Sequence, residues 1–119
     1  MEFYRGRRLR NSAALRDLMA ETQISANDLI MPYFVVETDD ENFKSPIPSM
    51  PGQYQFSLKQ LNLAIEKAVK NGLKAVLLFG VPKAKDPIAS EAYNKNGIVQ
   101  QAVRMLKKNF PDLIVITDV

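Results

Sequence analysis

Few residues in this 119-residue chain have the type and placement to do chemistry, and Asp118 is the first of them. It directly follows the apolar run "LIVIT" (113–117). A carboxylate at the exit of a strand can charge-match and orient an ammonium group, or it can cap the next helical turn. Two lysines near apolar runs invite comparison with Schiff-base formers. Lys74 stands at the entrance of its run rather than its exit, and Lys85 lies in a polar loop where pairing or solvation is expected. Neither is assigned a catalytic role, and no catalytic residue is expected among these positions. The absence of cysteine and histidine excludes disulfides, thiolate or imidazole metal ligands, and Cys-His or Ser-His nucleophile pairs within this stretch. Any metal here would need oxygen ligands, and no residue of the segment is expected to hold one.

The other chemical signal is charge. Arg5, Arg7, Arg8, Arg10 and Arg16 face only Glu2 within residues 1–16, which leaves 11 of the 16 basic and 12 of the 13 acidic residues for the rest. Arginines so placed can neutralise phosphates, but nothing later extends a nucleic-acid footprint, with no basic helix face and no zinc-finger spacing. As an arm docking on a neighbouring subunit, "EFYRGRRLR" offers Phe3, Tyr4 and Leu9 as apolar anchors beside guanidiniums suited to bidentate carboxylate pairs. An ordinary solvated terminus is the third reading. No run of 18 apolar residues occurs and no apolar stretch follows the arginines, so neither a membrane span nor a secretory signal is indicated and a cytoplasmic protein is expected.

Several elements must position these groups. "NSAALRDLMAET" reads as a short helix capped by Ser12, with Leu15, Leu18 and Met19 on one side. "DLIMPYFVV" (28–36) reads as a buried strand in which Pro32 requires an edge, a bulge or an irregular entry. The proline-rich segment 43–56 is expected to be an extended loop with a turn at "MPGQ", and Ser49 to Gly52 are assigned to shaping it. "SLKQLNLAIEKAVKNG" is a helix with Ser57 as cap, an apolar stripe of Leu58, Leu61, Ile65, Ala68 and Val69, and Gly72 as stop. "KAVLLFG" (74–80) and "LIVIT" are further strands, and Phe79 could line a mouth or join the core. Between them, "IVQQAVRMLKKNFPD" is a helix with Ile98, Val99, Ala102, Val103 and Leu106 inward, ended by Pro111.

Uniformly apolar strands alternating with helices predict an α/β fold with parallel strands. A doubly wound nucleotide-binding sheet would show a glycine-rich first turn, whereas "ETDDENFKSP" follows the first strand. Long loops after the strands and short returns at "NGLK" and "FPDL" fit a TIM (β/α)8 barrel better. A barrel needs about 250 residues, so three strands predict an N-terminal piece of one: residues 1–27 as arm and short helix, residues 28–119 as the first β/α units. The alternative is a small non-enzymatic flavodoxin-like binding module.

Specific motifs then favour one family. The Arg-rich arm, Pro32, "SMPG" (49–52), "LFGVP" (78–82), Lys85-Asp86, "SEAYN" (90–94) and Thr117-Asp118-Val119, in this order over essentially the whole chain, resemble the N-terminal third of the delta-aminolevulinic acid dehydratase (porphobilinogen synthase) family. The resemblance implies a barrel with an arm that wraps a neighbouring subunit (Phe3, Tyr4, Arg5, Arg7, Arg8, Leu9, Arg10). It implies assembly into homo-octamers or, in some members, hexamers. The implied activity is that of a hydro-lyase condensing two molecules of 5-aminolevulinate to porphobilinogen for haem and other tetrapyrroles. Asp118 would contact a substrate amino group. The two Schiff-base lysines of the family lie on later strands, so the 119-residue piece alone is expected to be inactive. Zinc-dependent members carry a cysteine triad just after the position of Val119, and others carry aspartates there, so zinc or magnesium belongs to the whole enzyme. Members usually have glycine where Ala89 stands, and alanine there asks that the backbone avoid a positive φ.

Overall fold

The computed structural model describes residues 6–87 and 89–118. Strand β1 (Ile30–Val36) forms where β-branched and aromatic side chains run without a break, and its alternation buries Tyr33 and Val35 on one face. The next segment is not the expected open loop. It folds as a hairpin of β2 (Lys44–Pro46) and β3 (Tyr54–Phe56), antiparallel to each other, with β3 parallel to β1. Its turn is sharp because Pro51 sets one φ and Gly52 takes φ +82°, while the Gln53 N–H donates to the Met50 carbonyl at 2.9 Å. Pairing so short escapes a reading by hydrophobic runs, since only Phe56 of the hairpin is buried.

Helix α2 (Leu58–Lys70) begins at Ser57, whose hydroxyl accepts from the Gln60 N–H, and buries Leu61 and Ile65. It stops at Gly72, φ +94°, where the Gly72 and Leu73 amides return to the carbonyls of Val69 and Ala68. Strand β4 (Ala75–Val81) follows, then a loop with the single turn α3 (Ser90–Tyr93), then α4 (Ile98–Asn109) burying Ile98, Ala102 and Leu106. Lys107 closes α4 by donating to the carbonyls of Pro111 (2.7 Å) and Leu113 (2.9 Å). Strand β5 (Ile114–Thr117) completes the sheet, whose order is β2-β3-β1-β4-β5.

The three long strands lie side by side in chain order and parallel, and both crossover helices pack on one face. A flavodoxin-like sheet places its third strand on the far side of the first and covers both faces, so the consecutive order excludes that alternative here. The core lies between Tyr33, Val35, Val76 and Leu78 of the sheet and Leu61, Ile65, Ala102 and Leu106 of the helices. Pro32 fits because β3 pairs only at Phe34 and Val35, leaving that side of Pro32 without a strand neighbour.

One expectation is corrected and one is borne out. Ala89 does adopt a positive φ, +52°, as the residue before α3, held by the Asp86 carboxylate, which accepts both the N–H and the hydroxyl of Ser90. The Ser12 hydroxyl caps α1 (Ala13–Leu18) at Leu15 as expected, and of the apolar side Leu15 is half-buried while Leu18 is 78% and Met19 49% exposed. No described residue before Ile30 is buried, so this segment projects from the body and the molecule measures 70 × 32 × 26 Å.

Candidate functional site

The C-terminal ends of β1, β4 and β5 meet at one edge of the sheet, and the polar residues gather there. Glu37, Thr38 and Asp39 leave β1, Pro82 and Lys83 leave β4, and Asp118 leaves β5. The first two exits are tied together. The Glu37 N–H donates to the Val81 carbonyl at 2.9 Å, the Lys83 N–H returns to Glu37 Oε2 at 2.9 Å, and Lys83 Nζ pairs with Asp39 Oδ2 at 2.5 Å. The backbone pair and the carboxylate fix the geometry; the exposed ion pair adds little energy on its own. Nothing in residue type or periodicity announces this link, because it joins positions 46 apart.

Asp118 is exposed. The last β4–β5 pair is Leu78 with Thr117, and Leu78 faces the helices, so strand alternation puts Asp118 on the opposite face, level with Phe79. Phe79 is half-buried and stacks on Phe34, ring centres 5.2 Å apart and 22° between planes. Its part is therefore to line the face away from the helices and not to join the helix-side core. Below it, Pro32, Leu77 and Ile116 form a further row, then Ile30, Ala75 and Ile114. The result is an apolar floor rising to a carboxylate, which can seat a small molecule with a cationic end.

The remaining positions singled out from the sequence lie elsewhere. Phe3, Tyr4 and Arg5 are outside the described residues. Arg7, Arg8, Leu9 and Arg10 are exposed, Arg8–Arg10 in a 3-10 turn, and the fold does not bring them to Asp118. Lys74 lies at the opposite end of β4, where its carbonyl accepts the Ile114 N–H at 2.9 Å. Lys85 is exposed in the loop before α3. Among the described residues no three His, Cys, Asp or Glu side chains converge as a metal site, and no helix is long and apolar enough to cross a membrane. The groups with displaced pKa values sit away from the mouth: Tyr33 is raised by burial, Asp28 is lowered by its hydrogen bonds from the Ser25 backbone and hydroxyl, and Glu66 is lowered by Lys70.

On the outer side of the mouth, a cleft of about 550 Å³ lies between the first turns of α2 and α4. Val36, Ile98 and Met105 line it, and Glu37, Asp39 and Glu41 stand on its rim.

Comparison with known proteins places this arrangement. The family model for delta-aminolevulinic acid dehydratase matches residues 3–119. Proteins of that name from Halalkalibacterium halodurans and Ruminiclostridium josui are 48% and 50% identical over 118 and 115 residues, covering 99% and 97% of this chain. The chain spans 35% and 55% of their respective lengths. The crystal structure of delta-aminolevulinic acid dehydratase (porphobilinogen synthase) from Toxoplasma gondii, in complex with the reaction product porphobilinogen, superposes with a TM-score of 0.85 at 36% identity, covering 99% of this chain and 33% of that one.

Proposed function

The chain belongs to the delta-aminolevulinic acid dehydratase family, and from that membership we propose that the whole protein is a cytoplasmic porphobilinogen synthase, a hydro-lyase joining two molecules of 5-aminolevulinate. The observation that carries this reading is the place of Asp118: at the C-terminal end of a parallel strand, on the face away from the helices, above an apolar floor. In a closed (β/α)8 barrel that face is the interior and that edge is the catalytic mouth. The consecutive strand order and one-sided helix layer are the first part of such a closure.

Asp118 accepts hydrogen bonds from the substrate ammonium and holds it while the ketone reacts elsewhere in the mouth. A carboxylate suits this because a charge-assisted hydrogen bond in a water-poor site is stronger than a neutral one. The Glu37–Lys83–Asp39 link fixes the neighbouring β1 and β4 exits, so the loops around the ammonium pocket start from defined positions. The described residues do not assemble a zinc or magnesium site, and no step here passes through a metal. In this reading a metal is held by other residues of the whole enzyme. The arm, with Phe3, Tyr4, Arg5, Arg7, Arg8, Leu9 and Arg10, packs on a neighbouring subunit in a homo-octamer or hexamer. The exposure of every described residue from Gly6 to Arg10 supports that role.

The test is Asp118→Asn in the full-length enzyme, assayed for pyrrole formation from 5-aminolevulinate. Losing a charged hydrogen-bond partner of about 1.5–3 kcal/mol predicts a fall in kcat/KM of roughly 10- to 100-fold with assembly unchanged. Unchanged kinetics would return Asp118 to a capping role.

A further inference from the structure

We propose that the Asn96–Gly97 peptide is a self-modifying site, at which the side-chain amide of Asn96 is lost through a cyclic imide and the start of α4 acquires a carboxylate. The chemistry uses only the chain and water. The Gly97 backbone nitrogen gives up its proton and bonds to Asn96 Cγ; the Cγ–Nδ2 bond breaks, and Nδ2 leaves with that proton as ammonia. Water then opens the imide. Addition at Cγ gives aspartate, and addition at the main-chain carbonyl carbon of Asn96 gives isoaspartate, whose backbone carries an extra methylene. Glycine after the asparagine permits this because no Cβ obstructs the approach of the nitrogen to Cγ.

The chain holds two Asn-Gly pairs, Asn71–Gly72 and Asn96–Gly97, and the fold requires the glycine of each. Gly72 has φ +94°. A Cβ on Gly97 would stand 2.9 Å from the Glu91 carbonyl oxygen and 3.1 Å from that of Asn94, closer than backbone atoms allow. The asparagines differ in their surroundings. Asn71 ends α2, where its Nδ2 donates to the Lys67 carbonyl at 2.9 Å and the departing amide is held in place. The negative end of the helix dipole there opposes both an ionised peptide nitrogen and a new carboxylate.

Asn96 has the opposite setting. It is exposed, and its side chain has no hydrogen-bond partner among the described residues. Gly97 is the N-cap of α4, so the peptide nitrogen that must ionise lies at the positive end of a 12-residue helix. Gln101 acts on the same peptide unit: its Nε2 donates to the Asn96 carbonyl oxygen at 2.6 Å. That oxygen is conjugated with the Gly97 nitrogen, so drawing electron density toward it makes the Gly97 N–H more acidic. Gln101 is thus a positioning residue that acts through the peptide. The Gly97 N–H rests on the Asn94 carbonyl at 2.9 Å, and the attack begins when the turn releases that bond. Aspartate at 96 is stabilised by the helix end. Isoaspartate lengthens the backbone immediately before the buried Ile98 and loosens the seat of α4.

The experiment ages the full-length protein in mildly alkaline heavy-oxygen water and maps both Asn-Gly peptides by mass spectrometry. Enzymatic methylation of isoaspartate separates that product from aspartate. Conversion at Asn96 about tenfold faster than at Asn71 is expected, each event incorporating heavy oxygen. Gln101→Leu, which removes the donor, is expected to slow conversion at Asn96 severalfold, and Gln101→Lys, which keeps one, to stay near the native rate. Equal conversion at the two sites, or faster conversion at Asn71, would overturn the inference. So would acceleration in Gln101→Leu, because a side chain that only held the turn closed would protect Asn96 rather than activate its peptide. The comparison of Asn96 with Asn71 in the unmutated protein decides the site even where a variant fails to fold, and pyrrole formation plays no part in the readout.

Discussion

Ala89 and Gly80 are two positions where a single methyl group matters, in opposite senses. Ala89 holds φ +52°, where Cβ crowds the backbone at a cost of about 1 kcal/mol. Ala89→Gly is therefore expected to raise stability by up to about 1 kcal/mol, less the entropy glycine loses on folding, read as a higher urea midpoint at constant m-value. A lower midpoint would mean that the Asp86–Ser90 contacts do not impose that φ. At Gly80 a Cβ would run into the Val99 side chain of α4. Gly80→Ala is expected to cost about 1–3 kcal/mol as α4 is pushed off the sheet, and Val99→Ala to restore part of it in a double-mutant cycle. At both positions the sequence carries the residue name and the fold supplies the reason for it.

At the scale of elements, the two helices that carry the core owe their ends to side chains the sequence displays. Ser57 caps α2 and also donates to the Glu41 carbonyl at 2.5 Å while being 2% exposed. Ser57→Ala removes both, so a loss of about 1–2 kcal/mol is expected in thermal or urea unfolding, with β2 and the 37–43 loop losing amide protection first. A loss confined to a few tenths would show the carbonyl finding water instead. The turn before β1 has a pH signature. Asp28 accepts from the Ser25 N–H and hydroxyl, both at 2.8 Å, and these bonds lower its pKa. A depressed carboxyl stabilises above its unfolded value, 3.8, and that contribution is lost as pH falls through the folded value. Amide protection at Asn27 and Asp28 should therefore hold at neutral pH and decline below about pH 4, while Asp28→Asn should flatten the dependence.

For the whole molecule, the decisive feature is a sheet with one covered face. Helices cover one side; the other presents Phe34, Leu77, Phe79 and Ile116 partly exposed, with Ile30 and Ile114 more than half exposed. Among the described residues, the outer side of β5 pairs with no strand. An apolar face beside an open parallel edge favours association. The 119-residue polypeptide by itself is expected to scatter light and bind a hydrophobic dye at micromolar concentration, and to form no pyrrole from 5-aminolevulinate. A soluble monomer with a steep two-state urea transition would count against the barrel interior as the identity of this face.

What the sequence determined was whatever is written locally or in a fixed order of motifs. The stripe of Leu61 and Ile65, the caps at Ser12 and Ser57, the stop at Gly72 and the three apolar strands all follow from neighbours within four residues or so. The family followed from the ordered motifs rather than from any one residue, and Asp118 stood out as the carboxylate at a strand exit. What only the tertiary structure decided involves partners distant in the chain. The hairpin at 44–56 forms because β1 offers an edge to Phe56; Phe79 lines the uncovered face because it meets Phe34; Ala89 turns left-handed because Asp86 holds Ser90; and the link from Glu37 and Asp39 to Lys83 spans more than forty residues. Local pattern fixes which face of an element is apolar, but not which element it meets, because that depends on the packing of all of them at once.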